Sequence, residues 1–342
     1  MTILPSSVSA FLERKNVYFS VQRYGVDALG SMALGLFASL IIGLILKTAG
    51  DKLEIEFLIT VGKQAMSMSG PCIGVAVAYG LKAPILVLFS SAVTGMAGAA
   101  AGGPAGAFVA AAVGSEFGKM ISKETGLDII LTPAITLMTG VLAGMSVGPG
   151  IAAFMAGLGK LIMTATEMQP LPMGIFVSVI MGITLTLPIS SAAIAIMLNL
   201  GGLAAGAATV GCCCHLIGFA IAGYKDNGPS GLVSLGLGCS MLQVPNIIKN
   251  PRIWIGPIVS SAILGPIVTT IYPMQNLPEG AGMGSSGLVG QISTFAAMGT
   301  GIDVWIGIAL FHFILPGLLT GVIAAILKRQ GWIHDGDMRI PD

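Results

Sequence analysis

From Ala28 to Leu327 one apolar segment follows another with little charge between them. A bilayer core about 30 Å thick is crossed by roughly 20 apolar residues in a helix. Runs such as Ala28–Leu46, Pro84–Ala101 and Ile302–Leu327 meet that length. Backbone groups at that depth find no water, so each run is helical or shielded by protein. The pattern predicts an all-α polytopic membrane protein with spans at 28–48, 57–80, 83–101, 104–122, 129–147, 171–198, 200–223, 256–273 and 302–327. Gly150–Met168 is amphipathic, with Lys160 and Glu167 beside Phe154, Met155 and Leu158, and reads as a short tenth span or an interfacial connector.

Two more segments are too polar and too broken for ordinary spans. One covers 229–255, with Gly236, Gly238, Gln243, Pro245, Asn246, Lys249 and Asn250; the other covers 276–298, with Glu279, Ser285, Ser286, Gln291 and five glycines. Both read as re-entrant hairpins, because non-helical backbone at membrane depth survives only inside protein or along a cavity. Such segments offer backbone groups and helix ends to a polar ligand near the midplane.

Composition narrows the function. Net charge is +1, which excludes a nucleic-acid partner held by bulk electrostatics. Aromatic residues make up 6% of the chain, too few for a stacked-ring quinone or haem site. The chain carries no phosphate-binding loop ending in Lys-Ser or Lys-Thr, no H-E-x-x-H and no nucleophile elbow, so no enzyme activity and no cofactor are expected. Cys72, Cys212, Cys213, Cys214 and Cys239 lie in apolar stretches and read as small buried hydrophobes. Consecutive helical residues point about 100° apart, so the three in a row cannot share a metal, and no metal site is assigned.

Arg14, Lys15 and Arg23 precede the first span, and Lys328 and Arg329 follow the last. The positive-inside rule then puts both termini in the cytoplasm and requires an even number of crossings. Three parts result: an amphipathic segment at 1–27 lying on the bilayer, a transmembrane domain at 28–327, and a tail at 328–342.

The few polar residues inside the apolar domain are the candidate site. Gln243 and Asn246, three apart around Pro245, project from one hairpin with both donors and acceptors; satisfying the hairpin's own backbone is the competing role. Glu279 is costly at membrane depth and so points to function, unless it reaches water. Gly284, Ser285, Ser286, Gly287 and Gln291 combine unusual backbone angles with groups that meet a substrate or cap a helix. His215 and Asn199 are further candidates for the cavity wall. His312, between Phe311 and Phe313, reads as packing, and Asp303 and Glu116 as span-end residues facing solvent or pairing locally.

Leu131–Met155 resembles the membrane domain of the fructose-type phosphotransferase-system enzymes IIC, as do T-L-P-I-S-S-A-A-I-A (Thr186–Ala195), Gly236–Pro251 and N-L-P-E-G-A-G-M-G-S-S-G (Asn276–Gly287), in the family's order. Phe11–Val17 and Arg23–Leu40 are more similar still to the IIC-like PfoR group, described as toxin regulators. The resemblance implies an enzyme IIC-like fold of about ten transmembrane helices and two hairpins. It also implies a homodimer in a bacterial cell membrane, a small polar solute such as a sugar, and an elevator-type motion. Where the sugar-phosphorylating members carry an acid in the first hairpin, this chain has Met241; where they carry a histidine in the second, it has Glu279; and Pro188-Ile189-Ser190-Ser191 replaces their proline-valine-asparagine-lysine motif. These departures argue against phosphorylation of the solute and against separate IIA and IIB partners. A transporter not coupled to phosphorylation is therefore expected, with a ligand-binding membrane sensor of gene expression as the alternative.

Overall fold

The computed structural model describes residues 6–340 and is helical throughout, apart from a two-residue antiparallel bridge between Gly202 and Asn276. The chain divides into two compact units: residues up to Leu40 together with Gln64–Ala153, and Ile41–Lys63 together with Phe154 onward. The elements in order are α1 (Ser6–Arg14), α2 (Gln22–Asp51), α3 (Glu56–Ser67), α4 (Ser69–Gly80), α5 (Ile85–Ile121), α6 (Asp128–Thr166), α7 (Pro170–Thr186), α8 (Ser191–Met197), α9 (Gly202–Ala222), α10 (Tyr224–Val233), α11 (Val244–Lys249), α12 (Pro251–Thr270), α13 (Pro278–Ala281), α14 (Val289–Met298) and α15 (Ile302–Arg329). Among the described residues six helices, α2, α5, α6, α9, α12 and α15, are long and apolar enough to cross a membrane, and α7 is a shorter apolar helix.

Two of the six need closer reading. α5 has 37 residues, about 55 Å if straight, far more than a bilayer core requires. It is not straight: Gly103 sits at φ +61, and Pro104 follows it. Ser91 Oγ lies 3.2 Å from Ser115 Oγ, a pair that a straight helix would hold about 36 Å apart. The chain therefore doubles back at Gly102–Gly103, and its two arms are separate helical segments that match the bounds 83–101 and 104–122 drawn from the sequence. α6 behaves in the opposite way. Its 39 residues run on as one helix of about 58 Å, so residues 150–166 continue the helix of the preceding segment without a break. The predicted span 57–80 is divided at Met68 into α3 and α4, and 171–198 is divided at Leu187–Ser190 into α7 and α8.

In the first unit the start of α2 is anchored by charge. Arg23, which the sequence places in the segment before the first span, is buried and bonds Glu116 at 3.2 Å and the Leu81 carbonyl at 3.0 Å. Lys119 Nζ sits 2.8 Å from the other oxygen of Glu116. Glu116 does pair locally, as a span-end residue should, but inside protein.

The second unit is built around α9, whose residues from Ala204 to Leu216 are all buried. Small residues set this position, because they let backbones meet where lipid gives no hydrophobic drive. A Cβ added at Gly211 would lie 1.9 Å from the Ser178 carbonyl oxygen of α7, and one at Gly206 would lie 1.9 Å from the Met274 carbonyl oxygen. α7 and α12 meet in the same manner at Gly174 and Gly265, with Ser178 Oγ donating to the Ser261 carbonyl at 2.8 Å. Residues 234–254 and 276–298 remain as short helical pieces broken by extended residues: Cys239 and Asn250 in the first, Leu277 in the second.

Candidate functional site

The second broken segment is pinned to α9 at both ends. Asn276, buried, donates from Nδ2 to Thr209 Oγ1 (2.7 Å) and to the Gly290 carbonyl (3.0 Å), while its Oδ1 accepts from the Leu277 amide (2.8 Å). At the other end Gly284 takes φ +55 and lies against Cys212 and Cys213, so close that a Cβ would sit 2.7 Å from Cys212 Cβ. Gly287 and Leu288 follow with φ +55 and +58. A left-handed leucine is costly, and this knot runs from the buried Gly284, Ser285 and Ser286 out to an exposed Leu288.

That knot carries the polar residues. Ser285 Oγ donates to the Gly236 carbonyl at 2.6 Å, joining the two broken segments. Ser286 is buried, and its hydroxyl has no partner. One turn on, Gln291 Nε2 donates to His312 Nδ1 at 3.1 Å and lies 3.8 Å from Cys213 Sγ. An amide nitrogen only donates, so His312 Nδ1 is the acceptor and its proton sits on Nε2. Gln291 Oε1 and His312 Nε2 are buried and unpartnered. His312 occupies a π-helical stretch, Ile308–Ile314, of α15; such bulges recur at functional sites. One acceptor, one donor and one hydroxyl are thus left unpaired on neighbouring residues of an apolar unit, and a buried polar atom left unpaired is expensive.

His215 lies in a separate network. Trp254 Nε1 donates to its Nδ1 (3.2 Å), and Thr186 Oγ1 lies 2.7 Å from the same nitrogen and 3.0 Å from Ser240 Oγ. Indole N–H cannot accept, so Nε2 of His215 carries the proton. That nitrogen has no partner, but it faces α7: a Cβ at Gly182 would come within 2.8 Å of it. His215 is a packed, bonded core histidine.

Gln243 and Asn246 do come together, with Asn246 Nδ2 donating to Gln243 Oε1 at 2.8 Å. Both are buried and committed elsewhere: Gln243 Nε2 to the Met338 carbonyl and Asn246 Nδ2 to the Arg339 carbonyl, each at 2.8 Å. Glu279 and Asn199 are exposed, the latter in a left-handed turn at φ +49. Of the residues singled out from sequence, Gly284, Ser285, Ser286, Gly287 and Gln291 form one locus; Gln243 and Asn246 form another; Glu279, Asn199 and His215 join neither by hydrogen bond. Sequence reasoning missed His312 and Asn276. An ionisable residue inside a span signals function by default, and applied to His312 that signal would have found it.

These features define a multi-pass, all-helical membrane protein with a buried, uncharged polar locus on a glycine-rich broken segment. The chain belongs to the phosphotransferase system EIIC family, whose model matches residues 26–340. It is thereby a membrane component of sugar transport. Comparison with curated proteins and with solved structures gives no match.

Proposed function

We propose that this protein carries a small uncharged polar solute, a sugar or related metabolite, across the membrane without phosphorylating it. The observation that carries the reading is the unpartnered set on Ser286, Gln291 and His312, held within an apolar unit by a strained, glycine-rich knot. Ser285 and the Gly284–Gly287 backbone complete the site, and the two broken segments act as re-entrant hairpins around it. Phosphoryl transfer to a hydroxyl is helped by a positioned acid or base. In the described part of the second unit no carboxylate is buried, and Met241, buried, stands where the resemblance places the family's acid. Transport follows an elevator-type motion within a homodimer. The test uses purified protein in proteoliposomes and a panel of labelled hexoses, pentoses and polyols. Uptake of one of them, with no sugar phosphate formed when phosphoenolpyruvate and the general phosphotransferase proteins are supplied, supports the reading. Phosphorylated product overturns the uncoupled transporter, and binding without flux makes the protein a sensor.

A further inference from the structure

Residues 331–340 turn back onto the first broken segment and are held there by side chains. Among the described residues no backbone-to-backbone hydrogen bond joins 333–340 to anything outside the tail. Instead, Asp226 accepts from the Gly336 amide (3.0 Å) and the Met338 amide (3.2 Å). Asn227 grips both sides of the same stretch, its Nδ2 donating to the Met338 carbonyl (2.8 Å) and its Oδ1 accepting from the Ile340 amide (2.8 Å). Gln243 and Asn246 take the Met338 and Arg339 carbonyls, and Asn250 takes the Trp332 carbonyl at 3.0 Å. Met338 is fully buried in the process.

Carboxamides reading the carbonyls and amides of a peptide in this way form a recognition site, here filled by the chain's own tail. An attachment made of side-chain bonds can be released without unfolding any helix, unlike a strand in a sheet or a turn of helix. The bonds also converge on the two buried carboxamides of the broken segment, Gln243 and Asn246. We propose that residues 331–340 are a self-inhibitory strap that occupies Gln243 and Asn246 and clamps residues 239–250, and whose release frees both carboxamides for the solute. Only that last step rests on the transporter reading above.

The test uses the full chain and a native reporter. Cys239, at the start of the clamped stretch, is 6% exposed. In Asp226→Ala/Asn227→Ala the tail loses four of its hydrogen bonds, and neither residue lies at the solute locus. Maleimide labelling of Cys239, read by peptide mass spectrometry, is expected to speed up by about tenfold or more, equivalent to about 1.4 kcal/mol, with matching loss of amide protection across 239–250. Amide protection across α9 stays at the wild-type level, which a misfolded variant would not show. A tail that becomes mobile while Cys239 and 239–250 stay protected overturns the proposal, as does a tail that stays docked without these two side chains. Neither outcome depends on a solute. If labelling behaves as expected but no member of the sugar and polyol panel binds more tightly to the variant, the self-inhibitory step is overturned, while the transporter reading stands or falls on the proteoliposome uptake alone.

Discussion

Replacing Gln291 with leucine should separate function from stability. The side chain is 5% exposed, donates to His312 Nδ1 at 3.1 Å, and leaves Oε1 without a partner. Leucine has similar bulk and no polar atom. The change removes one buried unpaired acceptor, worth about 1–3 kcal/mol to the variant. It also creates one, because His312 Nδ1 loses its donor, at about the same cost of 1–3 kcal/mol. The two nearly cancel, so the unfolding free energy should move by no more than about 1 kcal/mol in either direction. Ligand recognition has no such compensation. A solute that uses Oε1 loses its partner, and affinity should fall roughly 5- to 150-fold, the equivalent of about 1–3 kcal/mol. Thermal unfolding of detergent-solubilised protein measures the first quantity, and titration with the best-binding member of the sugar and polyol panel measures the second. A leucine variant destabilised by several kcal/mol would show that Gln291 is structural, and unchanged affinity would remove it from the site.

Three further outcomes are expected. Asn276→Ala strands the Leu277 amide and removes the links to Thr209 and to the Gly290 carbonyl, which keeps Thr294 Oγ1 as a donor, at about 1–3 kcal/mol if water does not reach the amide, so hydrogen exchange across 278–290 should accelerate, and unchanged exchange would count against Asn276 as the fastener. Gly211→Ala forces a Cβ to within 1.9 Å of the Ser178 carbonyl oxygen and should cost about 1–3 kcal/mol in overpacking, visible as a lower unfolding midpoint, whereas Gly150→Ala, with open space around its Cβ, should leave the midpoint nearly unchanged. The ion pair that Asp335 of the strap makes with Lys225 should be insensitive to mild acid. The Asp335 carboxyl is held below the usual carboxylate range by the hydrogen bond from Lys225 and then by the charge of Lys225. Its contribution is therefore in place above the unfolded value of about 3.9 and disappears only as pH falls through the lower folded value. Protection factors across 334–340 should be flat from about pH 5 to 8, and a loss of protection near pH 6 would identify another group as the controlling one.

The linear pattern was enough to show a helical membrane protein, because an unbroken apolar run has no other stable form in lipid. It also located both broken segments, since glycine and proline act through the local backbone. The pair of helical segments on either side of Gly102–Gly103 was legible for the same reason. The continuation of α6 from Gly150 to Thr166 was not, because exposed Lys160 and, just past the helix end, exposed Glu167 mimic the edge of a membrane.

The fate of individual polar side chains belonged to the tertiary structure. Gln243 and Asn246 have the composition of a ligand site, yet their partners lie 93–95 residues away in the tail, and nothing local to a carboxamide says which carbonyl it will meet. His215 and His312 look alike in sequence, each a lone histidine in an apolar run. Packing sets them apart: each keeps one unpartnered nitrogen, but that of His215 lies against the bare backbone of Gly182 while Trp254 and Thr186 take its other nitrogen, whereas His312 is bonded to Gln291 of the second broken segment. A residue's type and its neighbours in the chain determine what it can bond; only the approach of distant helices, set here by glycines that let backbones touch, decides which of those bonds is made and which group is left for a ligand.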